Sequence, residues 1–496
     1  MSNDLAIETG GAAEGIVGRS RRLLTSVVGK AVADRNAVAD VVTEAPAPLQ
    51  PIDLTDDAAV TQVLDLVERV GEVVLSAGTA VMDTTAQIEA IASTYGLSKC
   101  DIDVTYNSIR ISVDRGTFMP PASTMRVVKY RSLDFTRLAA VDRLTRRIRR
   151  ELMPPEEALA ALEEITSAPH PYHRWISTFG WSLMAAAVAL LLNGGLMIAA
   201  LSFATTALID RTNRRLNRRG LPFFFQHVVG GMIAAMPAVL VSTFASHLHR
   251  DPALIIAAGI SVLLAGLQLF GAVEDAITGA PITAAARMLE VVMMTGGIIA
   301  GIVLTLRVSE LLNLTTPTVD MAPGRDLTNL PIRVAAGAVT ALAFALACYA
   351  ERRALTTAAF SGAAAIAVYL VAQNAGFGPI VSSGVAAIVV GLAGGLLARR
   401  ALTPPLVVAL AGITPLLPGL RVYRGLYALL NDEQLIGINQ LFSALAVGCA
   451  LAAGITLGEW FARDLRRPRI IPRLTTIRIS RRTGSVITGR PPIKPS

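Results

Sequence analysis

The chain has 496 residues, 53 % of them hydrophobic and only 17 % charged, with a formal net charge of +8. Globular chains are about 25 % charged, and long apolar runs signal membrane spans, so collagen, a wholly disordered chain and a secreted disulfide scaffold are excluded. The cysteines Cys100, Cys348 and Cys449 are far apart and odd in number, which supports neither a disulfide framework nor a zinc site. Lysine occurs only at Lys30, Lys99, Lys129 and Lys494, so the basic charge is mostly arginine. Beside apolar runs it reads as the orientation bias of a membrane protein before nucleic-acid binding.

Residues 1–55 lack sustained periodicity and a cleavable apolar segment, and are expected to form a disordered tail without a secretory signal. From 56 to 170 the pattern predicts a small cytoplasmic α+β domain. Val60, Val63, Leu64, Val67, Val70 and Val74 recur at helical spacing before Gly78. A second helix carries Ile88, Ile91 and Tyr95 and stops at Gly96. The period then changes to two, through Ile102, Val104 and Tyr106, then Ile109, Ile111 and Val113, with Asn107-Ser108 as the expected hairpin turn. A third strand is expected over 125–131. Asp134 is placed to cap a helix with Leu138, Val141, Leu144 and Ile148 inward and Arg143, Arg146, Arg147, Arg149 and Arg150 outward. Those arginines are expected against anionic lipid headgroups. A last short helix opens at Pro154-Pro155 with Glu156 and Glu157 in its first turn.

After His173 the character changes. About 20 apolar residues cross the hydrocarbon core as a helix, and ten stretches qualify: 176–192, 194–209, 222–243, 252–270, 281–304, 332–350, 354–372, 379–398, 404–420 and 435–460. The first two meet at Asn193-Gly194-Gly195, and the pattern leaves two spans or one broken helix open. Residues 307–331 form an extracytoplasmic loop, and 463–496 a basic cytoplasmic tail. With both termini inside, Arg211, Arg214, Arg215, Arg218, Arg219, Arg352, Arg353, Arg399 and Arg400 fall on inner loops. Arg174, Arg463, Arg466, Arg467 and Arg469 flank the spans on that side.

An internal repeat appears on sliding the chain by 153 residues. LLAGL at 263–267 falls on LLPGL at 416–420, and AGIVL at 300–304 falls on AGITL at 453–457. Each copy closes a set of five spans, 171–306 and 332–462. An odd number of spans inserts the halves with opposite orientation, and inverted repeats of this kind are a transporter architecture. The fold expectation is a polytopic α-helical membrane protein of about ten transmembrane helices in two inverted five-helix repeats, behind a cytoplasmic α+β domain.

The chain resembles the threonine/serine exporter family, in its single-chain actinobacterial form, over almost everything from Pro51 to Arg467. The stretches that carry the resemblance are PIDLTD at 51–56, GLPFFFQ at 220–226 with VVGG at 228–231, and ITGAP at 277–281. Others are GGLLARR at 394–400, AGITPLLPGL at 411–420 with YRG at 423–425, and LGEW at 457–460. The resemblance implies a plasma-membrane exporter of L-threonine and L-serine driven by the proton-motive force, with no cofactor. It departs at Val81-Met82-Asp83-Thr84, where many relatives carry an arginine in the second soluble helix, so no role of that arginine transfers.

Intramembrane ionisable groups are functional candidates by default. Glu290 is expected near mid-depth of span five, paired with Arg287 one turn earlier, as a switch between ion pair and protonated acid. Glu274 and Asp275, before span five, are next in line for the proton. Pro415 and Pro418 interrupt span nine within GITPLLPG, and broken helices form binding sites in transporters. Thr414 and Gly419 in that break, with Gln268, Asn374, Gln226 and Tyr423, complete the candidates for a small amino acid. Glu459 reads as interfacial. Gly297 and Gly301, like Gly391 and Gly395, read as close helix packing. His247, His249 and Asp251 are too weak a set to suggest a metal.

The soluble part holds no P-loop, G-x-G-x-x-G, H-E-x-x-H or Cys–His nucleophile spacing, and Asp83, Thr84, Asp101 and Asp103 are too scattered for a hydrolytic cluster. A transporter and not an enzyme is therefore expected. Its partners would be an amino acid, protons and lipid, with a homo-oligomer open and no nucleic acid. The alternatives are a dicarboxylate exporter and a membrane-anchored sensor or enzyme acting through the N-terminal domain.

Overall fold

The computed structural model describes residues 49–129, 133–244, 253–263, 266–315, 330–401, 404–430 and 433–466. Helix α1, Asp57–Ser76, starts where the Asp56 carboxylate accepts the Ala58 N–H at 2.9 Å, satisfying an orphan donor of the first turn. Its stripe of Val63, Val67 and Val70 is fully buried. Gly78 then turns the chain at φ +89°, a conformation that would strain a side chain. Helix α2, Val81–Thr94, follows, with Ile88 and Ile91 buried against α1.

Strands β1 (Cys100–Val104), β2 (Ser108–Val113) and β3 (Ala122–Val127) form an antiparallel meander in the order β1-β2-β3. Val104 pairs with Ile109, so the turn is Tyr106-Asn107, one residue earlier than the expected Asn107-Ser108. Thr105 and Ser108, which flank it, satisfy one another through a backbone bond of 2.8 Å and a hydroxyl pair at 2.7 Å. The shift keeps Ile109, Ile111 and Val113 inward and places Tyr106 at the hairpin tip. The third strand lies three residues before its expected start, because Ala122 pairs with Val113.

Helix α3, Phe135–Glu151, is capped as expected: Asp134 accepts the Arg137 N–H at 3.0 Å. Helix α4, Pro155–Ser167, has proline in its first turn. The start of α3 docks on the membrane part, where the Phe135 N–H donates to the Cys348 carbonyl at 3.0 Å and the Thr136 hydroxyl to Tyr349. Arg143 pairs with Glu351 at 2.7 Å, and the His170 ring stacks on Tyr349 at 4.5 Å.

Helix α5, Arg174–Leu191, and helix α6, Gly195–Arg218, reverse at Asn193, whose φ is +63°. The Thr178 hydroxyl near the start of α5 donates to Asp210 in the later part of α6 at 2.6 Å. The stretch 176–209 is thus two antiparallel helices. The chain continues through α7 (Phe223–Phe244), α8 (Ala253–Leu263), α9 (Gly266–Thr278) and α10 (Pro281–Leu311). Next come α11 (Leu330–Ala347), α12 (Arg352–Asn374), α13 (Pro379–Ala401) and α14 (Pro405–Ile413). A 3₁₀ turn, Thr414–Leu416, leads to α15 (Gly419–Leu430) and α16 (Gln434–Arg466).

Among the described residues seven helices, α5, α7, α10, α11, α12, α13 and α16, are long and apolar enough to cross a membrane. The other three expected spans have a different make. The C-terminal part of α6 carries Asp210, Arg211, Arg214, Arg215 and Arg218, the described residues of span four lie in α8 and α9, and span nine is split between two short helices. Small residues set the closest approaches. A Cβ at Gly297 would stand 2.8 Å from the Phe224 carbonyl, packing α10 on α7, and one at Gly391 would stand 2.5 Å from that of Ile455, packing α13 on α16.

Candidate functional site

A cavity of about 670 Å³ lies where the N-terminal region meets the apolar helices, within the range of small-molecule sites. One wall is α2 and the loop before it, with Thr79, Asp83 and Gln87; a second is α3, with Asp142, Arg146, Arg149 and Arg150. The floor comes from Phe270 and Glu274 of α9, Pro405, Leu406, Ala409 and Leu410 of α14, and Ile455 and Glu459 of α16. Carboxylates and guanidinium groups thus face a common space over an apolar base. A smaller cavity, about 420 Å³, is bounded by α3, α4 and residues 168–171. Of its charged residues, Arg143 pairs with Glu351, Arg147 with Glu151, and Arg137 and His170 with Asp134.

Beside the large cavity the two parts of the chain are clamped together. Asp275, fully buried, pairs with Arg287, 2 % exposed, at 3.1 Å. Asp275 also accepts the Val81 N–H, the first of α2, at 3.0 Å, while Arg287 donates to the Thr79 carbonyl at 3.2 Å. A helix start favours a negative neighbour, so Asp275 serves both the cation and α2. Gly271 on α9 makes the passage, since a Cβ there would collide with the Arg287 guanidinium.

The expected Arg287–Glu290 pair is therefore not formed. A fully buried carboxylate needs its cation more than a half-buried one does, and Glu290 instead accepts the Tyr106 hydroxyl at 2.8 Å. Glu290 is the tenth residue of α10. Helix α10 has 31 residues, about 46 Å at 1.5 Å each, which exceeds the hydrocarbon core. Contact with the hairpin tip places Glu290 in the N-terminal half of α10, on the side of the N-terminal region.

Glu274 precedes Asp275 and lies outside the seven long spans, at the end of α9 against the N-terminal region. Burial first, then the carboxylates Asp83, Glu459 and Asp275, push its carboxyl up to about 8, while Arg287 opposes the shift.

The expected break in span nine is present: α14 stops at Ile413 and α15 restarts at Gly419, with Pro415 and Pro418 between. Thr414 is buried there, and its hydroxyl donates to its own helix at the Leu410 carbonyl, 2.8 Å away. Gln268 is half-buried on α9 and does not line the large cavity. Gln226 donates to the Leu221 carbonyl at 2.7 Å and lines a separate cavity of about 240 Å³ with Asp210, Asn213, Arg214 and Asn217. Asn374 is exposed at the end of α12 away from Glu351 and Arg143. The Tyr423 side chain, like His247, His249 and Asp251, lies outside the described residues.

Sequence reasoning missed the N-terminal contribution. Asp83 and Gln87, four residues apart on α2, share one face, a signal visible in the sequence but without a partner there to give it meaning. The arginine face expected against headgroups has internal partners: Arg143 with Glu351, Arg146 with Asp142, Arg147 with Glu151. Arg149 and Arg150 line the cavity, as does Glu459, which read as interfacial.

Two family models match the chain in succession: the one described as "Putative threonine/serine exporter" over residues 65–309, and "Threonine/Serine exporter, ThrE" over residues 333–461. A Corynebacterium glutamicum protein named "Threonine/serine exporter" is 44 % identical over 426 residues, 85 % of this chain and 87 % of the relative. A Mycobacterium tuberculosis protein named "Probable threonine/serine exporter" is 39 % identical over 418 residues, 83 % of this chain and 78 % of the relative. No solved structure matches the chain.

Proposed function

The chain belongs to the threonine/serine exporter family, and we propose that it exports L-threonine and L-serine across the plasma membrane in exchange for protons. The large cavity carries this reading as the substrate vestibule on the cytoplasmic side. A zwitterionic amino acid needs acceptors for its ammonium and donors for its carboxylate. Asp83, Glu274 and Glu459 supply the first, and Arg146, Arg149 and Arg150 the second. The N-terminal region, residues 56–170, is the cytoplasmic domain in this reading, and both termini are inside.

Two features support an inverted pair of five-helix halves, 171–306 and 332–462. Helix α9 reaches the cavity near its C-terminal end with Glu274, whereas α14 begins there with Pro405, so the two helices run in opposite directions. They also cross over: α9 packs on α16 and α15 packs on α10. A broken helix such as span nine, facing a cavity between repeats, is the usual setting for a transported solute.

The proton role moves from Glu290 to Glu274. A carboxyl surrounded by other carboxylates holds its proton until a cation replaces it, so an ammonium and a proton compete for the same place. Loss of the proton to the cytoplasm would admit substrate, and a proton arriving from outside would expel it. By linkage such competition is reciprocal, which is the requirement for exchange.

The test is full-length protein in proteoliposomes, assayed for counterflow and for pH-gradient-driven transport of threonine, serine and succinate. Exchange of threonine and serine, accelerated by a proton gradient, is expected. Exchange of succinate alone would replace this reading with dicarboxylate export, and exchange of none would sink the transport reading.

A further inference from the structure

We propose that Thr79 and Gln87 of the N-terminal region read the substrate's side-chain hydroxyl, so that the soluble region, and not only the spans, sets which amino acid is accepted. This rests on the cavity being the substrate vestibule and names the part of it that selects.

Thr79 is 4 % exposed and lines the cavity, yet its hydroxyl makes no hydrogen bond among the described residues. Gln87 also lines the cavity, and its Oε1 is buried and equally without a partner among the described residues. Buried polar groups are almost always satisfied, so two orphans on one wall call for a partner that enters the cavity. A threonine hydroxyl both donates and accepts, whereas the glutamine oxygen only accepts. A ligand hydroxyl fits both, donating to Gln87 and accepting from Thr79. A β-hydroxy amino acid carries such a group; alanine and valine, its nearest apolar counterparts, do not.

The wall is held in place from the membrane side. Arg287 fixes the Thr79 carbonyl and Asp275 fixes the Val81 N–H, so the loop that presents the hydroxyl cannot drift from α9 and α10. Gln87 lies one helical turn after Asp83, whose carboxylate, with that of Glu274, would take the ammonium. The charged groups bind any amino acid backbone, and the orphan pair adds the hydroxyl. Sites built to bond a hydroxyl reject analogues lacking it more strongly than apolar pockets reject an extra methyl, because the polar groups are then left unpaired.

The experiment measures competition by unlabelled serine and alanine, and by threonine and valine, against labelled serine counterflow in full-length protein. Wild type is expected to prefer serine to alanine by about a hundredfold, the worth of two hydrogen bonds at about tenfold each. Thr79→Val and Gln87→Met should each cut that ratio about tenfold by weakening serine, with alanine unchanged, and together bring it towards one; Thr79→Ser should keep it. The same ratio is to be read as ligand-induced thermal stabilisation in detergent, so that a variant that binds without transporting still reports. Should both variants keep the wild-type ratio, the orphans are solvated by water alone and the proposal is overturned. A wild type that exchanges neither serine nor threonine fails the vestibule reading itself, which is a different result.

Discussion

Asp275 and Glu274 are adjacent on α9, but they enter two regions with opposite electrostatics. Asp275 points into a dry clamp where a guanidinium and a helix N-terminus neutralise it. Glu274 points into a cavity where its nearest charged neighbours are mostly other carboxylates, and it holds a proton up to about 8. The clamp gains from charge and the cavity wall is penalised by it. One region is suited to fastening two parts of the chain, the other to exchanging a proton for a cation.

The largest effect expected from breaking this contrast is on the clamp side. Asp275→Ala leaves the Arg287 charge buried without a counter-ion and should cost about 3–5 kcal/mol, read as a fall in thermal and denaturant stability in detergent. Asp275→Leu combined with Arg287→Met should recover part of that loss, since no charge is left buried, although the Val81 N–H and the Thr79 carbonyl lose their partners. A single variant as stable as wild type would mean that the clamp is not a desolvated pair.

Glu274→Gln sharpens the contrast from the other side. A carboxyl whose folded-state value is raised to about 8 from an ordinary 4.5 binds its proton more tightly folded than unfolded. Its contribution is present in full below about 4.5 and is lost as pH rises to about 8. The variant should therefore flatten stability against pH within that window and be the more stable protein above it. It should also slow pH-gradient-driven threonine transport by at least about tenfold, the weight of one unit of proton affinity, while counterflow persists. Unchanged coupling would return the proton role to another carboxylate.

The smallest effect belongs to the hairpin tip. Tyr106→Phe removes the hydroxyl bond to Glu290 and should cost about 1 kcal/mol, measured by thermal unfolding, with pH-driven transport near wild type. A loss of coupling as large as that of Glu274→Gln would instead make Glu290 the proton carrier.

The helices, the caps at Asp56 and Asp134 and the break in span nine were legible because each depends on residues within a few positions: periodicity, a capping carboxylate, two prolines. The close packing at Gly297 and Gly391 was legible for the same reason. The hairpin turn slipped by one residue because pairing, not the local asparagine, sets register. The Arg287–Glu290 pair failed for a related reason: spacing places two charges within reach but says nothing of a competitor. That competitor, Asp275, lies 12 positions before Arg287 on a different helix, and the α2 donor it also serves is 194 residues from it.

By itself the sequence determined seven of the ten expected spans, because the hydrocarbon core demands long apolar helices with their backbone bonds satisfied internally, and that demand is written in composition and period. It also determined the family, through ordered stretches that span the chain. Only the tertiary structure decided which carboxylate is neutralised, which keeps its proton and which hydroxyl is left without a partner. Those outcomes depend on distance and desolvation in three dimensions, where Thr79, Glu274 and Glu459 line one cavity although nearly four hundred positions separate the first from the last.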